Sequence, residues 1–323
     1  MINQLNFERL TSPTRIRLGT APIGNMFRAI SEADARAVLK ASTAAGFASL
    51  DTAPYYGHGL SETRIGAYLR EAGTDVAIST KVGRSLVPCD GRPTPDTGFV
   101  DALPFAPTFD LSRDGIRIAL DNSFARLGVE RVETLLLHDV GRMIHGEAHE
   151  AMLPQILDEA LPAMCELRDA GLVGRIGLGV NEVEVVDELL ATGLMDVVLV
   201  AGRYTLIDRS AATLFDRCAE LGVAVLAAGV YNSGLLAGGE TFNYSAASSA
   251  VRQRRDALAA TCARHGIPLA AAALHFALRH PAVEQVVVGM RTEDEVEATA
   301  NFLTLSIPDA LWDDLDQAGG MRC

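Results

Sequence analysis

Four kinds of side chain that can take part in proton transfer follow short apolar segments of this chain. Asp51, Lys81 and His138 each end such a segment, and Tyr55 and Tyr56 follow Asp51 after four and five residues. A free tyrosine has a pKa of about 10, and a neighbouring ammonium group favours its ionised form. We therefore expect Lys81 to lower the pKa of a tyrosine, Asp51 to hold Lys81, and a neutral His138 to bind the reacting oxygen. Such a group can move a proton while a carbonyl and an alcohol interconvert.

This interconversion also moves a hydride, which no side chain supplies, so the residues imply a nicotinamide cofactor. A serine nucleophile is not indicated, because the chain has no G-x-S-x-G motif. We predict no metal site: His145 and His149 lie four residues apart without an evident third ligand, and we assign them to a solvated or substrate-facing loop. Taken alone, Asp51 could cap a loop and His138 could be a core histidine. Their joint placement carries the catalytic hypothesis.

The elements that would position these residues alternate between short apolar and longer amphipathic segments. Several apolar segments, such as VETLLL and VEQVVV, are typical of strands buried on both faces of a parallel sheet. The turn APIGNMF after the first of them lacks the G-x-G-x-x-G motif of a doubly wound sheet. We predict an α/β fold, a (β/α)8 TIM barrel, with one domain over residues 1–323. The predicted strands cover 15–21, 47–53, 76–82, 132–139, 175–180, 196–202, 223–229 and 283–290.

The predicted helices follow these strands, and the catalytic candidates lie at the carboxyl ends of the strands, where barrel enzymes place their active sites. Ser31 is the predicted N-cap of the first helix and Gly46 its stop. A long loop after strand 3, residues 83–110, contains five prolines, and we expect it to form a wall or lid over the site. The predicted helices cover 31–46, 61–73, 112–128, 155–171, 183–193, 210–222, 251–265, 269–280, 292–303 and 308–318.

Composition narrows the class of protein. The 323 residues include 28 Lys and Arg against 41 Asp and Glu, a net charge of −13, which argues against a nucleic-acid partner. Five cysteines without a C-x-x-C motif favour a reducing compartment. The N-terminus has no signal-peptide pattern, and no apolar segment approaches the roughly 18 residues of a membrane span. We expect a cytoplasmic monomer or homodimer with a small-molecule substrate and no membrane partner.

Three segments of this chain resemble motifs of the aldo-keto reductase superfamily. Their order and their placement on the predicted strands match that superfamily over nearly the whole chain. DTAPYYGHGLSETRIG at 51–66 is similar to the segment with the catalytic aspartate and tyrosine of that superfamily. ISTKVG at 78–83 is similar to its lysine segment, and LLLHD at 135–139 to its histidine segment. The resemblance implies a barrel that binds NAD(P) without a Rossmann motif. It also implies a catalytic tetrad of Asp51, Tyr56, Lys81 and His138, with Tyr56 selected over Tyr55.

Within the superfamily, the chain resembles the aldose dehydrogenase branch, which includes L-fucose, L-galactose and D-threo-aldose dehydrogenases and related pyridoxal 4-dehydrogenases. The similar segments are PFAPTFDLSRDGIR at 104–117, AGRYTLID at 201–208 and NSGLLAGG at 232–239. The resemblance implies oxidation of a cyclic hemiacetal, such as an aldose at C1, to a lactone. Three alternatives stay open: oxidation of pyridoxal to its lactone, NADPH-dependent reduction of an aldehyde, and a cofactor-sensing regulatory subunit.

The resemblance also assigns cofactor contacts. Val180 stands where relatives usually carry a serine, and Ala201 where they carry a glutamine. Ala228 or Gly229 stands where an aromatic residue often stacks on the nicotinamide, so fewer side chains hold that ring. Glu295 lies where a 2′-phosphate would bind and would repel it, which predicts NAD over NADP. Arg291 argues the other way, since it can pair with a phosphate, and Glu295 can also simply begin a helix. The implied cofactor contacts are Asn181, Ser233, Gly234, Leu236, Gly289, Arg291 and Glu295.

Overall fold

Eight parallel strands close into a barrel in the computed structural model, which describes residues 10–47, 49–74, 76–91 and 97–318. Its strands are β1 Ile16–Gly19, β2 Ser49–Asp51, β3 Ala77–Val82, β4 Val132–His138, β5 Val173–Val180, β6 Val197–Ala201, β7 Ala224–Ala228 and β8 Val283–Gly289. The strand order around the barrel is β1-β8-β7-β6-β5-β4-β3-β2, so β1 pairs with both β2 and β8. The predicted α/β TIM barrel is confirmed.

Helices cover the outside of the barrel, and at least one follows each strand. The predicted N-cap Ser31 is confirmed, because its hydroxyl accepts a hydrogen bond from the backbone N–H of Asp34 at 3.1 Å. The helices are α1 Glu32–Ala44, α2 Leu60–Ala72, α3 Arg113–Leu127, α4 Arg142–His145, α5 Ala148–Gln155, α6 Leu161–Asp169, α7 Glu184–Leu190, α8 Ala212–Leu221, α9 Ser249–Arg264, α10 Leu269–Leu278, α11 Glu293–Leu303 and α12 Asp309–Ala318.

The barrel interior is closed by side chains and has two different ends. Leu136, Leu199 and Val287 belong to a small apolar cluster inside the sheet. At the amino-terminal end of the strands, the buried Arg17 donates to Glu133 at 3.0 Å and to Gln285 at 2.8 Å. This charged plug leaves the carboxyl ends of the strands as the open end of the barrel.

The segment after β3, which the sequence predicts as a long loop, contains regular secondary structure. Residues Arg84–Pro88 and Phe105–Phe109 pair as an antiparallel ribbon, in which Leu86 lies opposite Pro107. Pro107 and Pro88 cannot donate a backbone hydrogen bond, and such residues are tolerated in edge strands only. Because of these prolines, the sequence pattern did not predict the two strands of the ribbon.

The segment after β4 also differs from the prediction. It was predicted to remain a loop until residue 155, but α4 and α5 begin at Arg142 and Ala148, and a π-helical turn at Ile156–Ala160 joins α5 to α6. The solvated position predicted for His149 is wrong. Its ring is buried, with Nδ1 2.8 Å from the carbonyl oxygen of Val140 and Nε2 3.1 Å from Glu188.

The lengths and compositions of the helices show whether any of them could cross a membrane. Within the described ranges, no single helix is long and apolar enough to cross a membrane. Helices α9 and α10 are long and apolar enough only when they are taken together, and the chain bends by 93° between them.

Candidate active site

Lys81 lies at the centre of the polar group at the open end of the barrel. Its ammonium Nζ donates to both carboxylate oxygens of Asp51, at 3.0 and 2.9 Å, and to the carbonyl oxygen of Thr52 at 2.8 Å. Asp51 also accepts a hydrogen bond from the Ser79 hydroxyl at 2.7 Å. The strand register explains the contact: Asp51 pairs with Ser79 in the neighbouring strand, and Lys81 projects from the same face two residues later.

Of the two adjacent tyrosines, Tyr56 faces Lys81. Its hydroxyl lies 3.2 Å from Nζ, whereas the ring of Tyr55 lies 4.2 Å beneath the guanidinium of Arg84. The loop that carries Tyr56 is fixed by close backbone packing. A Cβ atom on Gly24 would lie 2.8 Å from the carbonyl carbon of Tyr56, and one on Gly57 would lie 2.4 Å from the carbonyl oxygen of Gly24. Glycine at both positions is therefore required for this approach.

The imidazole of His138 lies next to Tyr56, with ring centroids 6.1 Å apart in an edge-to-face arrangement. Burial lowers the pKa of His138 well below its ordinary value, and the charges of Arg84 and Lys81 lower it further. His138 is therefore neutral at neutral pH, as expected from the sequence. Its Nδ1 is buried and has no hydrogen-bond partner within the described residues.

The pKa of Tyr56 does not follow the expectation from the sequence. Burial raises the pKa of the Tyr56 hydroxyl well above its ordinary value, and the carboxylates of Asp51 and Asp139 raise it further. The expected lowering by Lys81 is therefore wrong for the protein chain by itself. The reason is that Asp51 neutralises the ammonium group at close range while burial penalises the phenolate. In this state Tyr56 is a proton donor at neutral pH.

These residues line a cleft of about 490 Å³, which is within the range of small-ligand pockets. The replaced positions noted above, Val180, Ala201, Ala228 and Gly229, all form part of its wall. Leu236 is not brought to the cleft, because its side chain is buried in a separate apolar cluster beneath the loop after β7. The other predicted residues all line the cleft: Asp51, Tyr56, Lys81, His138, Asn181, Ser233, Gly234, Gly289, Arg291 and Glu295.

Asn181 has the free hydrogen-bonding capacity that a nicotinamide carboxamide requires. Its Nδ2 donates to Asp139 at 3.1 Å, and its Oδ1 accepts from the hydroxyl of Tyr244 at 3.1 Å. A side-chain amide has two donor hydrogens and two acceptor lone pairs, so one donor and one acceptor remain for a ligand. Asn181 can therefore bind the carboxamide of the nicotinamide cofactor that the sequence implies.

The far end of the cleft combines a cation and a carboxylate. The Arg291 guanidinium donates to the carbonyl oxygen of Met26 at 2.7 Å, and its Nε is buried without a partner among the described residues. Glu295 accepts a hydrogen bond from the backbone N–H of Arg291, while its own N–H donates to the Thr292 hydroxyl at 3.2 Å. Glu295 is therefore the third residue of α11, where its carboxylate caps the backbone N–H of Arg291, and it lines the cleft at the same time.

The sequence analysis assigned no role to Asp139 or to Arg84. Both side chains are buried beside the cleft, and the Arg84 Nη2 lies 3.3 Å from Asp139 Oδ2. Their positions directly after His138 and three residues after Lys81 are the signal that could have found them. Among the described residues, no group of three or more His, Cys, Asp or Glu side chains is arranged to hold a metal ion.

Curated relatives cover most of this chain. It is 37% identical over 321 residues to the pyridoxal 4-dehydrogenase of Microbacterium luteolum, covering 95% of this chain and 94% of the relative. It is 38% identical over 311 residues to the D-threo-aldose 1-dehydrogenase of a Pseudomonas species, covering 93% and 92%. The L-galactose dehydrogenase of Arabidopsis thaliana is 27% identical over 295 residues, covering 90% and 84%.

A solved structure supports the fold independently of these relatives. The holo form of an aldo-keto reductase from Bacillus halodurans superposes with a TM-score of 0.74 at 22% identity, covering 94% of this chain and 91% of that one. The sequence pattern of the Aldo/keto reductase family matches residues 15–319. By this match and the curated relatives, the chain belongs to the aldo/keto reductase family.

Proposed function

We propose that this protein oxidises a cyclic hemiacetal, the ring form of an aldose or of pyridoxal, to a lactone with NAD. Membership of the family makes the chain an oxidoreductase with a NAD(P) cofactor and a small-molecule substrate. The observation that carries the proposal is the contact of Lys81 Nζ with both Asp51 and Tyr56 in a cleft that His138 also lines.

Each of the four residues has a separate role in the proposed reaction. His138 binds the anomeric oxygen as a neutral imidazole, and Tyr56 accepts the proton of that hydroxyl. Lys81 stabilises the Tyr56 phenolate, and Asp51 keeps Lys81 charged and in place. A bound oxidised nicotinamide supplies the hydride acceptor and a positive charge that favours the phenolate.

The relatives support a hemiacetal substrate and leave two kinds open. The two relatives at 37% and 38% identity are named for pyridoxal and for an aldose, and the chain covers more than 90% of each. Both substrates carry a hydroxyl and a hydrogen on the carbon to be oxidised, so the same four residues serve either one. Sugar and pyridoxal are therefore tested side by side.

Glu295 supports NAD as the cofactor. Its carboxylate lines the cleft at the end opposite the reacting group and would repel a 2′-phosphate. We expect Glu295→Gln to reduce the preference for NAD over NADP by about five- to tenfold, which corresponds to about 1 kcal/mol. Glu297→Gln is the matched control, because Glu297 is an exposed residue of the same helix that does not line the cleft.

A second candidate function is reduction of a small aldehyde with NADPH. It is favoured by the raised pKa of Tyr56, because a tyrosine that holds its proton is suited to donate it to a carbonyl oxygen. The same four residues then act in the reverse direction, with Arg291 as a cation for the additional phosphate.

The experiment is a spectrophotometric assay of the purified protein that follows the absorbance of the reduced nicotinamide. NAD or NADP is offered with L-fucose, D-arabinose, L-galactose, pyridoxal or a simple alcohol, and NADPH is offered with small aldehydes. Turnover of a sugar or of pyridoxal with NAD supports the proposal and identifies the substrate class. NADPH consumption with aldehydes alone replaces it by the second candidate, and cofactor binding without any turnover replaces it by a regulatory subunit.

A further inference from the structure

A second carboxylate lies beside the proton-transfer group and has no role in proton transfer. Asp139 is buried and lines the cleft, with Oδ2 3.5 Å from Nε2 of His138. Its backbone has a φ of +49°, in the left-handed region that few residues other than glycine adopt. This conformation turns the side chain of Asp139 towards the cleft directly after the strand that carries His138.

Besides His138, two neighbours hold the Asp139 carboxylate in place. Arg84 Nη2 lies 3.3 Å from Oδ2, and Asn181 donates to Oδ1 at 3.1 Å. The Arg84 guanidinium itself lies over the rings of Tyr55 and Phe109, at 4.2 and 4.8 Å from their centroids. Burial raises the pKa of Asp139 above its ordinary value, while the charge of Arg84 and the hydrogen bond from Asn181 act in the opposite direction and favour the ionised carboxylate. The guanidinium, fixed between two rings, also keeps this carboxylate oriented.

An ionised carboxylate can only accept hydrogen bonds. Its two oxygens offer about four lone pairs, and the contacts with Arg84, Asn181 and His138 use at most three of them. At least one acceptor position on Asp139 is therefore left for a group in the cleft. That group must be a donor, such as a hydroxyl.

We propose that Asp139 is a specificity-determining residue that binds a second hydroxyl of the substrate, next to the hydroxyl that is oxidised. The proposal rests on the hemiacetal oxidation proposed above. With His138 on the reacting oxygen, the 3.5 Å between Nε2 and Oδ2 matches the spacing of two neighbouring hydroxyl oxygens, each within hydrogen-bond length of its own partner. In an aldose this is the hydroxyl at C2, and in pyridoxal it is the ring hydroxyl beside the oxidised carbon.

This contact would make the site discriminate against substrate analogues that lack the second hydroxyl. A buried carboxylate that has no donor in the complex loses its solvation without compensation, so the site should reject analogues without the second hydroxyl. We expect the wild type to favour the hydroxyl-bearing substrate by about 100-fold in kcat/KM, a modest value for a site that binds a substrate hydroxyl.

The test compares substrate pairs in wild type, Asp139→Asn and Asp139→Gly. The pairs are an aldose with its 2-deoxy analogue, and pyridoxal with its 3-deoxy analogue, assayed with NAD. Asparagine and glycine both tolerate the left-handed backbone, which reduces the risk of misfolding. In both variants the preference for the hydroxyl-bearing substrate is expected to fall from about 100-fold to below about fivefold, mainly through KM.

The control is Glu182→Gln, which alters another buried carboxylate close by. Glu182 accepts from the backbone N–H of Met143 at 3.2 Å and does not line the cleft, so the preference should stay at the wild-type value. An equal fall of kcat/KM on both members of a pair in the Asp139 variants would overturn the proposal, and Asp139 would then only position His138 and Asn181.

A measurement on the unaltered protein covers the case in which the variants do not fold. The inhibition constants of the hydroxylated and deoxygenated lactone products are compared for the wild type. A ratio of about 100 supports the contact, and equal constants overturn it. If neither substrate class is turned over at all, the proposed function has failed instead, and lactone binding still reports on Asp139.

Discussion

The ammonium Nζ of Lys81 lies 3.2 Å from the hydroxyl of Tyr56 while it contacts both carboxylate oxygens of Asp51. This relationship links a proton donor to a buried ion pair, in which the side chains of Lys81 and Asp51 are only 1% and 3% exposed. A buried ion pair is costly to break on one side, because the remaining charge has neither water nor a partner. The proposed proton transfer and the stability of the fold should therefore depend on the same contact.

Replacing this lysine should affect both properties. In Lys81→Met we expect kcat/KM to fall by about 10²- to 10⁴-fold, because Tyr56 loses the charge that stabilises its phenolate. The free energy of unfolding should fall by about 3–5 kcal/mol, because Asp51 is left buried without its partner. Steady-state kinetics and urea unfolding measure the two effects.

The chain contains a natural control for this change. Its two lysines are Lys40 and Lys81, and Lys40 is exposed on α1. Lys40→Met should leave kcat/KM unchanged and alter the free energy of unfolding by less than about 0.5 kcal/mol. A Lys81→Met protein with normal turnover would remove Lys81 from the proposed mechanism.

The lowered pKa of His138 makes part of the stability depend on pH. In the unfolded chain His138 takes up a proton below about pH 6.5, whereas in the folded protein it stays neutral until a much lower pH. The unfolded state then binds more protons, so the free energy of unfolding falls as the pH falls below about 6.5. The contribution of His138 is at most about 1.4 kcal/mol per pH unit.

The comparison of wild type with His138→Gln isolates this residue from the other histidines. Denaturant unfolding is measured for both proteins between about pH 7.5 and about pH 5. The wild type should lose more stability over this range than the variant. Parallel curves for the two proteins would mean that His138 is protonated in the folded state.

The close packing of Gly57 against Gly24 should be necessary for the position of Tyr56. Gly57 has a φ of +64°, and an added Cβ would lie 2.4 Å from the Gly24 carbonyl oxygen and 2.9 Å from Leu60 Cβ. In Gly57→Ala the loop must move, so we expect kcat to fall by at least tenfold and stability by more than about 2 kcal/mol.

A substitution at Gly73 serves as the control, because it tests the effect of a positive φ without the close contact that Gly57 makes with Gly24. The φ of Gly73 is similar, at +59°, but a Cβ there would meet no atom of the described residues within 4 Å. Gly73→Ala should therefore cost only about 1 kcal/mol of stability and leave kcat unchanged. Equal effects of the two substitutions on kcat would argue that Gly57 does not position Tyr56.

Local pattern was sufficient for the barrel and for Asp51, Lys81 and His138, whereas the choice of Tyr56 over Tyr55 came from the family resemblance. Strands buried on both faces show as nearly continuous apolar runs, such as VETLLL before His138, because almost all side chains in them are buried. The segments after β3 and after β4, which differ from the prediction, contain no such apolar run. The proline-containing ribbon pairs segments about 20 residues apart, and the backbone N–H of Met143 in α4 donates to the remote carboxylate of Glu182. Such non-local contacts leave no periodic trace in the sequence.

The sequence by itself determined the fold class and the residue types that meet at the carboxyl ends of the strands, because alternation and position along a strand are local properties. Only the tertiary structure decided the direction of the Tyr56 pKa shift, the exclusion of the Leu236 side chain from the cleft, and the placement of Asp139 between Arg84 and Asn181. Those features depend on burial and on distances between residues that are remote in the chain, since desolvation and Coulomb energies are functions of three-dimensional separation.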